Sequence, residues 1–318
     1  MAVYKVNGTD ISVSNSSSSN NKISTTYFKD NGSVITGDSY SSSWSNYMIR
    51  AFDSAFKESG NDINICKSGR RPATTLKTST GSGTFNMTGS SSSGFSINGV
   101  NLGAGNEVFY VCMCGGGGSG AVGSGTKSGG GGGGGGGISM IVIANANHQF
   151  VIGGGGAGKS GKNTAGAGGS SSTFKNNGTT IVTCGGGGGA SVGGGGGRGS
   201  TTINNSSLMS TYTGGYYSTN QGGAGGMSGT GGQVAWTKFD KRPEAGTSVT
   251  KTGGSGVSDG GAGGGGASMF GGATAGQKYT TASSSASQGG GSGGTGYVLI
   301  GTPKNTGSGG AGRLEIYY

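Results

Sequence analysis

The chain has 318 residues, of which 82 are glycine and 3 proline, with 30% hydrophobic residues, 10% charged residues and a formal charge of +10. Ordinary globular domains carry roughly 45–50% apolar and about 25% charged residues, so a large apolar core is excluded. Collagen is excluded too, because the glycines come in unbroken blocks and proline is scarce. The positive charge suits acidic or phosphate-rich partners. Its densest group, Lys67, Arg70 and Arg71, is nevertheless too small for a nucleic-acid site.

The N-terminus, MAVYKVNGTD, lacks the basic start and apolar run of a secretory signal, and no stretch could span a membrane. This predicts synthesis in a cytoplasm, with release by a route such as lysis if the protein works outside a cell. Residues 1–80 are rich in Ser, Thr and Asn, and segments 3–6 and 9–13 alternate as half-buried strands do. One helix is expected at 44–58, where Trp44, Tyr47, Met48, Ala51, Phe52, Ala55 and Phe56 recur at spacings of three and four before Gly60. The Ser/Gly-rich stretch 78–94 reads as a linker or a poorly packed strand pair, and the linker is placed at 81–99.

Farther on, short apolar and β-branched runs at 108–113, 140–143, 150–152, 181–184, 297–300 and 314–317 stand between glycine tracts. Each is the right length for a strand and too short for a helix. Together they predict one compact β core with the C-terminus tied into a sheet. The tracts occupy 115–118, 129–137, 153–156, 185–189, 193–197 and 263–266. Such tracts can be flexible linkers, but a compact core does not ordinarily hang so many between its strands. Glycine can instead form an extended threefold left-handed helix, rising about 3.1 Å per residue, with its polar groups pointing outward in three directions. Lacking Cβ atoms, such helices can pack side by side and satisfy one another's backbone. The expected fold is therefore mainly β with polyglycine II helices. It comprises a small N-terminal β region with one helix at 1–80 and a glycine-rich β core with packed polyglycine tracts at 100–318.

Of the four cysteines, Cys66, Cys112, Cys114 and Cys184, the middle two lie two apart in a strand and so share a face. Their spacing fits neither a redox pair nor a zinc knuckle, and His148 is the only histidine. Buried, reduced thiols are expected, with no metal or cofactor. The segment GGGGAGKS at 153–160 matches a phosphate-loop pattern, yet the following GKNTAGAGG cannot sustain the helix such a loop requires. A single histidine argues against a hydrolytic triad, and is expected at a strand edge or turn. Asp240 and Glu244 are better explained by a turn around Pro243 than by a glycosidase pair. No enzyme is expected.

Three polar segments interrupt the glycine blocks late in the chain: 203–221, 233–252 and 268–288. They carry Tyr212, Tyr216 and Tyr217, then Trp236, Lys238 and Phe239, then Phe270 and Tyr279. Exposed Tyr and Trp give rigid amphipathic contact surface. The same rings could instead pack on the glycine block, and the sequence leaves both readings open.

A strand ending at Cys114 runs into glycines 115–118, followed by a long glycine run and another strand. Then come FVIGGGGAG at 150–158, IVTCGGGGGA at 181–190 and a closing GRLEIYY at 312–318. This order resembles the glycine-rich C-terminal domains of bacteriophage tail and tail-fibre proteins. More loosely, it is similar to the receptor-binding adhesins at the long tail-fibre tips of T-even-like phages, in which polyglycine helices form a sandwich and variable loops bind host receptors. The resemblance covers roughly residues 100–318. It implies a virion protein of the tail or fibre, extracellular after lysis, with the eight residues just named as receptor-binding candidates. Its implied partners are a host surface receptor (a glycan, envelope polymer or outer protein) and other tail proteins, with no nucleic acid and no membrane insertion. Both a homotrimer, as in fibres, and a monomeric tip are compatible with it. A structural virion component, such as a head fibre, decoration or baseplate-edge protein, is the alternative. An ice-binding or matrix protein is a weaker one, since the strict Thr or Ala rows of an ice-binding face are missing.

Overall fold

The computed structural model describes residues 2–6, 9–13, 28–30, 33–35, 75–79, 81–90, 94–97, 100–101, 107–144, 147–213, 215–238, 247–257, 262–278, 280–296 and 304–317. The chain divides into two units, Met1–Arg71 and Pro72–Tyr318. In the first, β1 (Ala2–Val6) pairs antiparallel with β2 (Thr9–Val13), as the alternating pattern predicts, and β3 (Phe28–Asp30) pairs with β4 (Ser33–Ile35). The helix expected at 44–58, Cys66, the run 297–300, and Asp240 with Glu244 lie outside the described residues.

The second unit is mainly β and is built on two antiparallel sheets. One has five strands in the order β15 (Tyr217–Asn220), β10 (Gly137–Ala144), β9 (Glu107–Cys114), β18 (Arg313–Tyr317), β5 (Thr75–Ser79). The other has seven, in the order β14 (Thr201–Ile203), β13 (Thr179–Cys184), β12 (Ser172–Asn176), β11 (His148–Ile152), β6 (Gly83–Ser90), β7 (Gly94–Ile97), β8 (Val100–Asn101). The stretch 81–99 supplies β6 and β7, which pair antiparallel, so of the two readings of 78–94 the strand pair is the one that forms. On β6, Phe85 sits opposite Phe150 of β11, with ring centroids 6.4 Å apart, and Asn86 Oδ1 accepts from Gln149 Nε2 (3.0 Å).

Alternation along β9 sets the packing. Phe109, Val111 and Met113 join Ile138, Met140 and Val142 of β10 and Leu314 and Ile316 of β18. This face meets Phe150, Ile152, Phe174, Ile181, Val182 and Cys184 from the seven-stranded sheet. Cys112 and Cys114 point the other way, into a second cluster with Val234, Trp236, Ala267 and Met269. The two thiols share a face, as their spacing predicts, and both are buried. The hairpin of β16 (Val234–Lys238) and β17 (Thr247–Lys251) brings Val234, Trp236 and Val249 to this second cluster. A short helix, α1 (Ser206–Thr213), lies against β10 and β13 and buries Met209 in the main core.

At the glycines the hydrogen-bond period changes from two residues to three. The β9–β10 ladder ends on the pair Cys114–Gly137, and the next bond runs from the Gly115 N–H to the Gly136 carbonyl. Within 129–136, the N–H groups of Gly130, Gly133 and Gly136 donate to Ser191, Gly188 and Gly185. Those of Gly131 and Gly134 donate to Gly226 and Gly223, and those of Gly132 and Gly135 to Ser292 and Gly289, all seven at 2.8–3.3 Å. The carbonyls follow the same rule. Gly130, Gly133 and Gly136 accept from Ala121, Gly118 and Gly115; Gly131 and Gly134 from Gly196 and Gly199; Gly129 and Gly132 from Gly263 and Gly266. Each third residue thus addresses the same neighbour, and this rod is surrounded on six sides. That is the threefold geometry of polyglycine II. The rod 115–121 is enclosed in the same way, with bonds to 130–136, 167–170, 187–190, 292–295, Gly156 and Gly310.

What glycine contributes inside the lattice is the missing side chain. A Cβ at Gly131, Gly133 or Gly134 would lie 2.1, 1.9 or 2.0 Å from the carbonyl oxygen of Gly264, Gly197 or Ala267. Among the described residues left-handed backbone is confined to turns, for example at Gly161 and Gly193. Where rods stand too far apart for a direct bond, a buried hydroxyl bridges them. Ser172 Oγ accepts from the Gly153 N–H (3.0 Å) and donates to the Cys114 carbonyl (2.7 Å). Ser292 Oγ likewise joins the Gly120 N–H (2.9 Å) to the Gly307 carbonyl (2.6 Å), and Thr306 Oγ1 joins the Lys159 N–H (2.9 Å) to the Gly120 carbonyl (3.1 Å).

Gly133→Ala should therefore destabilise the protein by about 3 kcal/mol or more, because backbone on an adjoining rod must move to admit the methyl. Gly197→Ala, whose Cβ would meet nothing within 4 Å, should shift stability by no more than about 0.5 kcal/mol. Equilibrium urea unfolding of the two variants checks the contrast.

Candidate functional site

The aromatic residues singled out in the sequence separate into two places. Tyr212 lies on α1, partly buried; its hydroxyl accepts from Asn176 Nδ2 (2.7 Å), and its ring meets His148 edge-on at 5.1 Å. His148 opens β11, an internal strand, and is itself buried. Tyr216 precedes β15, its carbonyl accepting from the Ile141 N–H (3.1 Å), and Tyr217, opposite Met140, keeps 37% of its surface exposed. Asn205 sets up α1: its Oδ1 accepts from the Leu208 N–H at 2.9 Å, an N-cap bond. That asparagine is the one local signal for a helix in an otherwise Ser/Thr-rich segment.

Trp236, Lys238 and Phe270 come together behind the five-stranded sheet, whereas Phe239 and Tyr279 lie outside the described residues. Trp236 is only 6% exposed and meets Phe270 edge-on at 6.2 Å. Alternate residues of β18 form a polar ladder beside them. Arg313 Nε donates to Glu315 Oε1 (2.7 Å), the Tyr317 hydroxyl donates to Glu315 Oε2, and Lys238 Nζ donates to the Tyr317 oxygen (3.1 Å). The Arg313 guanidinium lies 5.2 Å from the Phe270 ring centroid. With its amide oriented to satisfy both ends, Gln288 donates to the Phe270 carbonyl (3.0 Å) and accepts from Arg313 Nη1 (2.7 Å). Trp236, Lys238 and Phe270 therefore take part in fastening β16 and the 268–272 turn to the sheet.

A third place emerges from the rod register. Successive strands run into rods, and the rods turn back at the end away from the sheets. The described turn residues are 122–128, 158–164, 191–194, 226–230, 277–278 and 280–282, and the segments 257–262 and 296–305 also join rods, although 258–261 and 297–303 lie outside the described residues. Cross-bonds hold them at one level. The Asn163 N–H donates to the Gly123 carbonyl (3.1 Å), Gly193 to Ser128 (2.8 Å), Gly129 to Thr295 (2.9 Å), Gln277 to Gly294 (3.0 Å) and Gly263 to Gly129 (3.1 Å). Their described residues include exposed Lys127, Lys162, Lys278 and Lys304, partly buried Lys159, and Met227 at 60% exposure. Of the receptor-binding candidates singled out in the sequence, only Tyr279 falls in one of these turns, and it lies outside the described residues. The available signal was the recurrence of short polar turns between glycine blocks.

The phosphate-loop pattern falls on a rod. The amides of Gly153, Gly156, Gly158 and Lys159 are committed to Ser172 Oγ, the Gly117 carbonyl, Ser308 Oγ and Thr306 Oγ1, at 2.8–3.1 Å. A turn with positive φ at Gly161 and Asn163 stands where a helix would have to begin. Donors that a phosphate would need are already in use. Among the described residues no group of three or more His, Cys, Asp or Glu is placed to hold a metal, and no helix is long and apolar enough to cross a membrane.

No protein-family model matches the chain, and no curated protein is significantly similar to it.

Burial pushes the Cys114 thiol up to about 12 and raises Cys184 as well. Cys112, Cys114 and Cys184 should accordingly resist a thiol reagent at neutral pH in the native protein and react after unfolding, which counting labelled sites by mass spectrometry checks. Burial, followed by its bond to Glu315, also raises the Tyr317 hydroxyl above the ordinary tyrosine range. Its stabilising contribution is whole below about pH 10 and declines as the pH rises beyond that. In an ultraviolet titration Tyr317→Phe should remove a late-ionising step, and Glu315→Gln should move that step earlier.

Proposed function

We propose that the chain is a bacteriophage tail-fibre or tail-tip protein that attaches the particle to the host surface through turns displayed on a polyglycine lattice. The observation that carries this reading is the gathering of the rod turns at one end of a cross-bonded block. A binding surface made of turns needs a rigid support, because ordering loops at the moment of contact costs affinity. Here the support consists of rods whose backbone groups are already paired, so turn residues can vary with little effect on it. The strand–rod–strand order is also what the resemblance to glycine-rich tail proteins rests on. In this reading Trp236, Lys238, Phe270 and Tyr212 serve the scaffold, and among the described candidates Tyr217 is the aromatic that retains substantial exposure.

Particles carrying 122–128, 158–164 and 277–282 replaced by Gly/Ser turns of equal length should assemble and lose adsorption to the host. Normal adsorption by such particles would assign the protein a structural place in the virion instead.

A further inference from the structure

The turns that end the rods carry Lys127, Lys159, Lys162, Lys278 and Lys304, and against these five the same turns contain one acidic residue, Asp259. Asp259 lies outside the described residues. The backbone brings the lysines to one surface. Lys159 and Thr306 exchange bonds: the Lys159 N–H donates to Thr306 Oγ1 (2.9 Å), and the Thr306 N–H donates to the Lys159 carbonyl (2.8 Å). Lys304 stands two residues before that threonine. The Asn163-to-Gly123 bond sets the turn containing Lys162 beside the one containing Lys127. Thr295 bridges both Val122 and Gln277, which brings in the turn with Lys278.

We infer that this end of the lattice binds a polyanionic, phosphodiester-linked glycopolymer of the cell envelope. The inference rests on the attachment reading above and names the chemistry of the receptor. All five cations are lysines, compact and strongly hydrated charges that engage phosphate as point charges; arginine would be expected for bidentate carboxylate recognition. Hydroxyls of Ser124, Thr126, Ser160, Thr280 and Thr281 stand among them in the turns, suited to the hydroxyls of a sugar or glycerol repeat. Single-stranded nucleic acid would call for stacking aromatics, and a membrane surface for a broad apolar face. The described residues of these turns include no aromatic ring and a single large exposed apolar side chain, Met227, while Tyr279 and 297–300 lie outside them.

The test immobilises poly(glycerol phosphate) teichoic acid and measures binding of the full chain. A triple variant with Lys127→Ser, Lys162→Ser and Lys278→Ser, all exposed, should bind about tenfold more weakly or worse and show a shallower salt dependence between about 50 and 200 mM. A charge-matched control with Lys175→Ser, Arg198→Ser and Lys251→Ser, in the sheets and along a rod, should bind as the unaltered chain does. Equal loss in both variants would reduce the interaction to net charge and overturn the inference. So would an absence of binding, or tighter binding to a carboxylated glycan, to anionic vesicles or to single-stranded DNA. The parent reading is separable. If turn-replaced particles lose adsorption while particles with the triple lysine variant adsorb normally, the receptor is not this polyanion and attachment by the turns stands; if neither change affects adsorption, both readings fail.

Discussion

The structure depends on peptide groups of one rod bonding directly to those of its neighbours, at a separation that leaves no room for a Cβ. Along 129–136 all eight N–H groups donate and seven of the carbonyls accept, so the backbone is satisfied without a sheet or an α-helix. One such bond is worth about 0.5–1.5 kcal/mol net, while fixing the backbone of a residue costs roughly 1–2 kcal/mol. A rod alone is therefore unstable, and one with a single partner is little better. Only enclosure, as around 129–136, brings nearly every group into use together with the dense packing that close approach allows. The β-sandwich supplies the starting register: two antiparallel strands fixed by apolar side chains hand their ends to two rods already at the right spacing.

The same constraint explains where side chains are permitted. On rods at the lattice surface every third position faces outward, as at Ala157 and Ser160, at Ala165, Gly168 and Ser171, or at Thr252 and Ser255. Inside, an alanine appears where a methyl has space, as at Ala121, Ala190, Ala262 and Ala267, and serine or threonine appears where a hydroxyl can replace a backbone partner. The hydroxyl relays at Ser172, Ser292 and Thr306 act as spacers, letting the lattice absorb irregular separations without leaving an amide unpaired.

Much of this was legible in the sequence. Five apolar runs became strands β9, β10, β11, β13 and β18, and the last of them took a place between β9 and β5. Ordered glycine followed from counting the tracts that a compact core would otherwise leave loose. The rest was hidden for identifiable reasons. For 78–94 composition left a linker and a strand pair open, and what decides between them is pairing with β11, where Phe85 faces Phe150 and Asn86 Oδ1 accepts from Gln149 Nε2. The helix α1 rests on an asparagine cap and a buried methionine, too little for a periodic pattern. Trp236 and Phe270 look like exposed loop aromatics until the back of the five-stranded sheet is seen to need a cover. The turn lysines come from segments scattered through the chain, and only the threefold register places them side by side.

Because the lattice is held by peptide groups rather than by buried hydrocarbon, its thermal behaviour differs from that of an ordinary core. Exposure of apolar surface raises the heat capacity of unfolding, and exposure of polar surface lowers it. A block in which most of the newly wetted surface is peptide therefore has a small heat-capacity increment, and its free energy bends only slightly with temperature. Such a domain keeps nearly the same margin in cold water as at body heat.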